Sequence, residues 1–177
     1  MLTELEMFLD LTQSFPVLLL RNTASMIEFL LSGRKSWVVH LDSQEEFWVS
    51  SFGQDYISRN NSSELHESNV HFFNTVFKKL EGGPESALEF GSNIGLNYLA
   101  LKDLFSPLEF TGVEINELAY SYLKLTGCKA VHSSIFDFES QESYGLTFTK
   151  GVLIHINPER LGEVYRKLYS YSKRYIL

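Results

Sequence analysis

The sequence predicts an α/β protein built on a doubly wound, mostly parallel sheet, and three observations lead there. Short apolar runs rich in strand formers alternate with stretches of helical periodicity from residue 85 to residue 177. The connections between them are short, as sequential parallel strand and helix units require. One connection, Gly91-Ser92-Asn93-Ile94-Gly95, links the apolar run Ala87-Leu88-Glu89-Phe90 directly to a helical pattern at Leu96, Leu99, Ala100 and Leu104. A strand, a glycine turn and a helix start form a corner where a ligand can lie against bare backbone and meet free N–H groups.

Residues 1–42 form an N-terminal extension with no function attached to it. Phe15–Leu20 reads as a strand, Ser25–Leu31 as a helix capped near Thr23, and Trp37–Leu41 as another strand. Residues 43–84 read as a helical cap or lead-in. Ser43-Gln44-Glu45-Glu46 opens like a capped helix with acids in its first turn. Trp48, Phe52 and Tyr56 follow at helical spacing, which suits a face packed on the core; Arg59 is either solvated or a clamp for a carboxylate beside a cofactor pocket. After Ser62-Ser63 a longer helix presents Val70, Phe73, Val76, Phe77 and Leu80, and Glu81-Gly82-Gly83-Pro84 ends it.

Residues 85–177 read as the cofactor-binding core. Beyond the glycine corner, Phe110–Ile115 is a second strand, residues 117–126 a helix, Ala130–Ser133 a third strand and Leu146–Thr149 a fourth. Asn157-Pro158-Glu159 starts a helix with an asparagine cap and a proline in the first turn. Its expected buried stripe is Leu161, Val164, Tyr165, Leu168 and Tyr171, and Tyr175-Ile176-Leu177 begins a fifth strand.

Composition narrows the function classes. A net charge of −7 and a pI near 5.2 argue against non-specific nucleic-acid binding, which needs a basic surface. The single cysteine, Cys128, excludes an internal disulfide and a cysteine-rich zinc site, and the five histidines show no ligand-like pair, so no metal is expected. The first residues carry Glu4 and Glu6 instead of a basic head, and Val17–Leu20 is too short to span a bilayer. A soluble, cytoplasmic protein with a small-molecule substrate is the expectation.

In an open parallel sheet the ligand sits beyond the carboxyl ends of the strands, where strand order reverses. Those ends carry Gly91–Gly95, Glu114, Asp137 and Thr149-Lys150-Gly151. The loop is neither the G-x-G-x-x-G dinucleotide fingerprint nor a phosphate loop with its lysine, which favours a cofactor without phosphates, S-adenosyl-L-methionine. Glu114, nineteen positions after Gly95, is suited to accept from both hydroxyls of a ribose; a solvated strand-end acid is the plainer alternative. Asp137, flanked by Ile135, Phe136 and Phe138, is either an acceptor for an adenine amino group or an ordinary turn acid. Glu89 lies inside the first strand, so it needs a partner: loop N–H groups, or a cofactor ammonium reached through water. Lys150 and His155 flank an apolar segment at the same mouth, as catalytic base or orienting group for a substrate, or as structural residues.

Three segments carry a family resemblance: Leu88–Asn97, Gly112-Val113-Glu114-Ile115-Asn116, and Thr149-Lys150-Gly151-Val152-Leu153-Ile154-His155-Ile156-Asn157-Pro158-Glu159. They resemble class I S-adenosylmethionine-dependent methyltransferases with a Rossmann-like core, and more narrowly the methylase family associated with pseudaminic acid biosynthesis. Glu46-Phe47-Trp48, Phe52-Gly53, Tyr56 and Arg59-Asn60 resemble that family's N-terminal segment, so the likeness covers about residues 44–177. It implies cofactor contacts at Gly91, Asn93, Gly95, Glu114 and the loop around Asp137, with Tyr56 and Arg59 closing over the methionine end. It implies methyl transfer to a sugar, sugar nucleotide or nonulosonic-acid glycan precursor. The family's chain continues past the fifth strand with two more, whereas this sequence ends at Leu177. On that reading the C-terminal strands are missing and the exposed sheet edge invites a homodimer. The alternatives are an inactive cofactor-binding remnant or interaction module and, with less support, an NAD-dependent oxidoreductase.

Overall fold

The structure, a computed structural model, describes residues 42–80 and 82–177. The strands and helix predicted within residues 1–41 lie outside the described residues.

Three helices lead in: α1 (Ser43–Val49), α2 (Ser51–Arg59) and α3 (Ser63–Phe77). Asp42 closes a capping box at the start of α1: its side chain accepts from Gln44 N and Glu45 N, while Glu45 reaches back to the Asp42 amide. Ser50 ends α1 in an extended conformation and caps α2, so the single helical stretch suggested by spacing is two short helices at an angle. Ser62 caps α3.

Next come β1 (Ser86–Phe90), α4 (Leu96–Leu104), β2 (Glu109–Glu114), α5 (Glu117–Leu125), β3 (Lys129–His132) and β4 (Tyr144–Phe148). Two 3-10 turns, Leu153–His155 and Pro158–Arg160, then precede α6 (Leu161–Tyr171) and β5 (Ser172–Ile176). The five strands form one parallel sheet in the order β3-β2-β1-β4-β5. The order reverses between β1 and β4, which puts the ligand-binding crevice at their carboxyl ends.

Each face of the sheet has its own core. On one, Phe73 and Phe77 of α3 and Tyr98 and Leu101 of α4 close over Ala87, Phe110 and Phe148. On the other, Val164, Leu168 and Tyr171 of α6 close over Leu88, Phe90 and Val113. Buried on both sides, β1 reads as a nearly unbroken apolar run, as central parallel strands do.

Three local expectations need correction. Tyr165 stays 53% exposed, because α6 starts only at Leu161, after the proline-led 3-10 turn, and its buried stripe is Val164, Leu168 and Tyr171. β4 starts two residues early, at Tyr144, where the Gly145 amide is drawn in by the Ser86 hydroxyl. β5 starts at Ser172, three residues before the expected Tyr175, where it comes into register with Tyr144 of β4.

Candidate functional site

A cleft opens at the carboxyl ends of β1, β2 and β4. It is walled by the glycine loop, by Val113–Asn116 and Ala119, by Ser133, Ile135 and Phe136 after β3, by Lys150–Val152 and His155–Asn157 after β4, and by α1 to α3. The sequence dictates the loop wall most directly. Gly91, Asn93 and Gly95 all have positive φ (74°, 47° and 89°), a region that glycine and asparagine enter at least cost. A Cβ on Gly91 would lie 2.5 Å from Val152 Cγ2, and one on Gly95 would lie 2.9 Å from Leu123 Cδ1. Gly91 N and Ser92 N donate to Val113 O at 2.9 and 3.0 Å, so the loop is stitched to β2.

Glu114 completes that stitching. Its Oε2 accepts from Asn93 N at 2.7 Å and its Oε1 from Asn116 N at 2.8 Å. Only 7% exposed, the carboxylate is pushed above its ordinary pKa by burial, while the N–H donors of Asn116 and Asn93 oppose the shift. Asn116 in turn caps α5 through Ala119 N and donates from Nδ2 to Trp48 O at 2.9 Å, tying α1 to the cleft.

Beneath the loop, Glu89 is fully buried. Its Oε1 accepts from Asn97 Nδ2 at 2.6 Å, whereas Oε2 and Asn97 Oδ1 have no partner among the described residues. Burial pushes its pKa up to about 8, so at neutral pH the group is mainly protonated. The loop N–H groups suggested as its partners are spent on Val113 O and Glu114 instead.

The third wall is aromatic and polar. The Trp48 ring stands edge-on to Tyr56 at 5.2 Å and to His155 at 4.7 Å, so α1, α2 and the turn after β4 meet around one indole. Gly53 is where α2 crosses the end of α1: a Cβ there would strike Trp48 O and sit 2.8 Å from Asn116 Nδ2. Arg160 lies 3.2 Å above the Phe136 ring and reaches Asp42 (3.5 Å), Glu45 (3.8 Å) and Glu163 (3.2 Å). Glu45 also accepts from Ser134 Oγ, fixing α1 to the loop after β3. Lys150 Nζ donates to Asn69 Oδ1 of α3 at 2.9 Å.

Of the residues singled out by sequence, Tyr56, Gly91, Asn93, Glu114, Lys150 and His155 come together around the cleft, with Glu89 directly beneath it and Gly95 turning the loop behind the wall, against Leu123 and Thr126. Two do not join them. Arg59 is exposed at the end of α2, its guanidinium 5.5 Å from the Phe52 ring and off the cleft wall. Asp137 is also exposed and off the wall, because the turn after β3 directs Ile135 and Phe136 inward in its place. Trp48 and Tyr56, assigned by spacing to a packed core face, line the cleft. Sequence reasoning passed over Asn69, Asn97, Asn116 and Arg160. Asn69 left a signal: it sits four residues before Phe73 and eight before Phe77, a polar residue on a buried helical stripe.

By sequence, no family model and no curated protein matches the chain. By structure, it is similar to the plantazolicin methyltransferase BpumL, solved with a desmethylPZN analogue and SAH, at 20% identity over 73% of this chain and 52% of that one, with a TM-score of 0.58. It is similar to DesVI of Streptomyces venezuelae at 12% identity over 68% and 51%, TM-score 0.55. It is also similar to magnesium protoporphyrin IX methyltransferase of Synechocystis PCC 6803, solved with SAM, at 15% identity over 77% and 75%, TM-score 0.58. The chain spans about half the length of the first two. The described residues have the α/β fold of class I S-adenosylmethionine-dependent methyltransferases.

Proposed function

We propose that this chain binds S-adenosyl-L-methionine in the cleft and transfers its methyl group to a small-molecule acceptor. One observation carries the reading: a buried carboxylate, Glu114, at the end of β2, bonded at each oxygen to a backbone amide of the loops on either side of it. Those bonds fix both oxygens at the mouth of the crevice, and each oxygen keeps a second lone pair for a ribose hydroxyl. The cradle fits the cofactor in two further respects. Gly91 leaves space that a side chain would fill, and beneath the loop Glu89 keeps a buried oxygen without a partner among the described residues, which a cofactor ammonium would reach through a water.

On this reading Gly91, Asn93 and Gly95 seat the nucleoside thioether, Glu114 takes the ribose, and Ile135 and Phe136 cover the adenine. Tyr56 and Trp48 close the methionine side. When bound, the cofactor would supply a methyl group on a sulfonium, which an acceptor oxygen or nitrogen would take in line as the C–S bond breaks and the thioether leaves with the bonding pair. Holding the acceptor close and aligned supplies much of the rate in such a step, so a strong base is not required. His155, edge-on to Trp48 at the acceptor side, is the group suited to take the acceptor's proton. Arg59 and Asp137, exposed and off the wall, are left with surface roles.

The finer reading of the acceptor is a sugar, sugar nucleotide or nonulosonic-acid precursor, supported by the resemblance of Thr149–Glu159. Residues 43–84 act as the cap and 85–177 as the cofactor core. Calorimetric titration with SAH tests the main reading: saturable one-to-one binding is expected, and its absence, or preferential binding of NAD, sinks it.

A further inference from the structure

Among the described residues lining the cleft, Lys150 is the only lysine or arginine. Its surroundings are unusual for a cation. Nζ donates to a neutral amide, Asn69 Oδ1, at 2.9 Å, and lies 5.6 Å from the Phe72 ring centroid, with no carboxylate of the described residues within ion-pair distance. Glu89, the acid whose titration Lys150 influences, is held mainly protonated by burial and does not cancel the charge. The acids on the cleft wall at Asp42 and Glu45 are engaged by Arg160.

Asn69 is 7% exposed, on the buried stripe of α3 that carries Phe73 and Phe77, so its amide is a largely enclosed group. Its oxygen is used by Lys150, and its Nδ2 makes no hydrogen bond to another described residue. An ammonium hydrogen-bonded to one end of an amide whose other end still has N–H donors, both on the cleft wall, offers two donor groups with a net positive charge. That pair matches one kind of ligand group, an anion with two oxygens.

We propose that Lys150 and Asn69 form a carboxylate-binding subsite in the cleft. The carboxylate belongs either to the amino-acid arm of the cofactor or to the acceptor, and the subsite deepens the methyltransfer reading by specifying a charged ligand group at the end of β4. Lys150 then binds and orients, and proton transfer falls to His155.

The test has two arms on the full chain. In the first, SAH and 5′-methylthioadenosine, which lacks the amino-acid arm, are titrated into wild type and Lys150→Met. A loss of about tenfold or more for SAH with methylthioadenosine unchanged assigns the subsite to the cofactor's carboxylate, a change on the order of 1.4 kcal/mol. In the second arm, acetate is titrated into the SAH-loaded and the ligand-free chain while the Asn69 side-chain amide is followed by NMR. A saturable shift in wild type and in Lys150→Arg, lost in Lys150→Met, assigns it to the acceptor when SAH affinity is unaffected. No difference between wild type and Lys150→Met in either arm overturns the proposal. If wild type binds neither adenosyl ligand, the cofactor reading has failed, and the acetate arm on the ligand-free chain still decides the subsite.

Discussion

The two sides of the cleft are held by different physics. The loop side, from Gly91 to Asn116, is fixed by backbone: positive φ angles, amides bonded to Val113 O, and one carboxylate bridging two loops. The opposite side, formed by α1 to α3 and the turns after β4, is fixed by side chains meeting across the sequence. Asn116 reaches Trp48 across 68 positions, Lys150 reaches Asn69 across 81, and Arg160 reaches Asp42. A wall made of backbone tolerates few substitutions and suits a constant ligand. A wall made of side chains can be re-cut one residue at a time, which suits the part that chooses an acceptor.

Substitutions should therefore hurt most on the loop side. The largest effect is expected for Gly91→Val, which forces a β-branched residue to positive φ and into Val152. Loss of detectable SAH binding should accompany a stability drop on the order of 2–4 kcal/mol, read by urea denaturation. A variant that binds SAH normally would erase the distinction between the two walls.

Glu89→Gln separates stability from binding on that same side. Between the ordinary carboxylate pKa of 4.5 and the folded value of about 8, the folded chain keeps a proton that the unfolded chain releases, so wild-type stability falls as pH rises through this window and levels off above it. The glutamine variant lacks this slope. It should match wild type near pH 4.5 and exceed it by on the order of 3–5 kcal/mol at pH 9, while SAH affinity declines. Parallel pH profiles for the two proteins would show that Glu89 does not titrate as described.

Gly53→Ala probes the other wall. The added methyl collides with Trp48 O and Asn116 Nδ2, so a cost of about 1–3 kcal/mol is expected, with SAH affinity reduced less than by Gly91→Val. The smallest effect is expected for Arg160→Met, whose partly exposed ion pairs contribute below about 1 kcal/mol in chemical denaturation. A larger loss would mean that the stacking on Phe136 matters more than the charges.

The same contrast governs how much was legible in the sequence. The loop and Glu114 follow from local rules, since glycine spacing and an acid at a strand end act within one strand, turn and helix unit, and the parallel sheet follows from the alternation of such units. Glu89 was legible as a buried acid needing a partner, but not the identity of that partner, because Asn97 enters its reach only once α4 packs on β1. Arg59 and Asp137 were chemically suitable, yet the end of α2 and the turn after β3 direct them outward, and rotation of a side chain about a short element is not written in spacing. Trp48 has the helical spacing of a core residue. Only the break at Ser50 and the close approach at Gly53 bring it to the cleft.

The most direct test of the central claim is a residue-resolved NMR titration of the backbone amides with SAH. The account predicts saturable shifts concentrated at Gly91–Gly95 and at Glu114–Asn116, smaller ones at Trp48 and Phe136, and none along α6 and β5. Shifts spread over α6 and β5 with the glycine loop silent, or no shift at millimolar SAH, would contradict it.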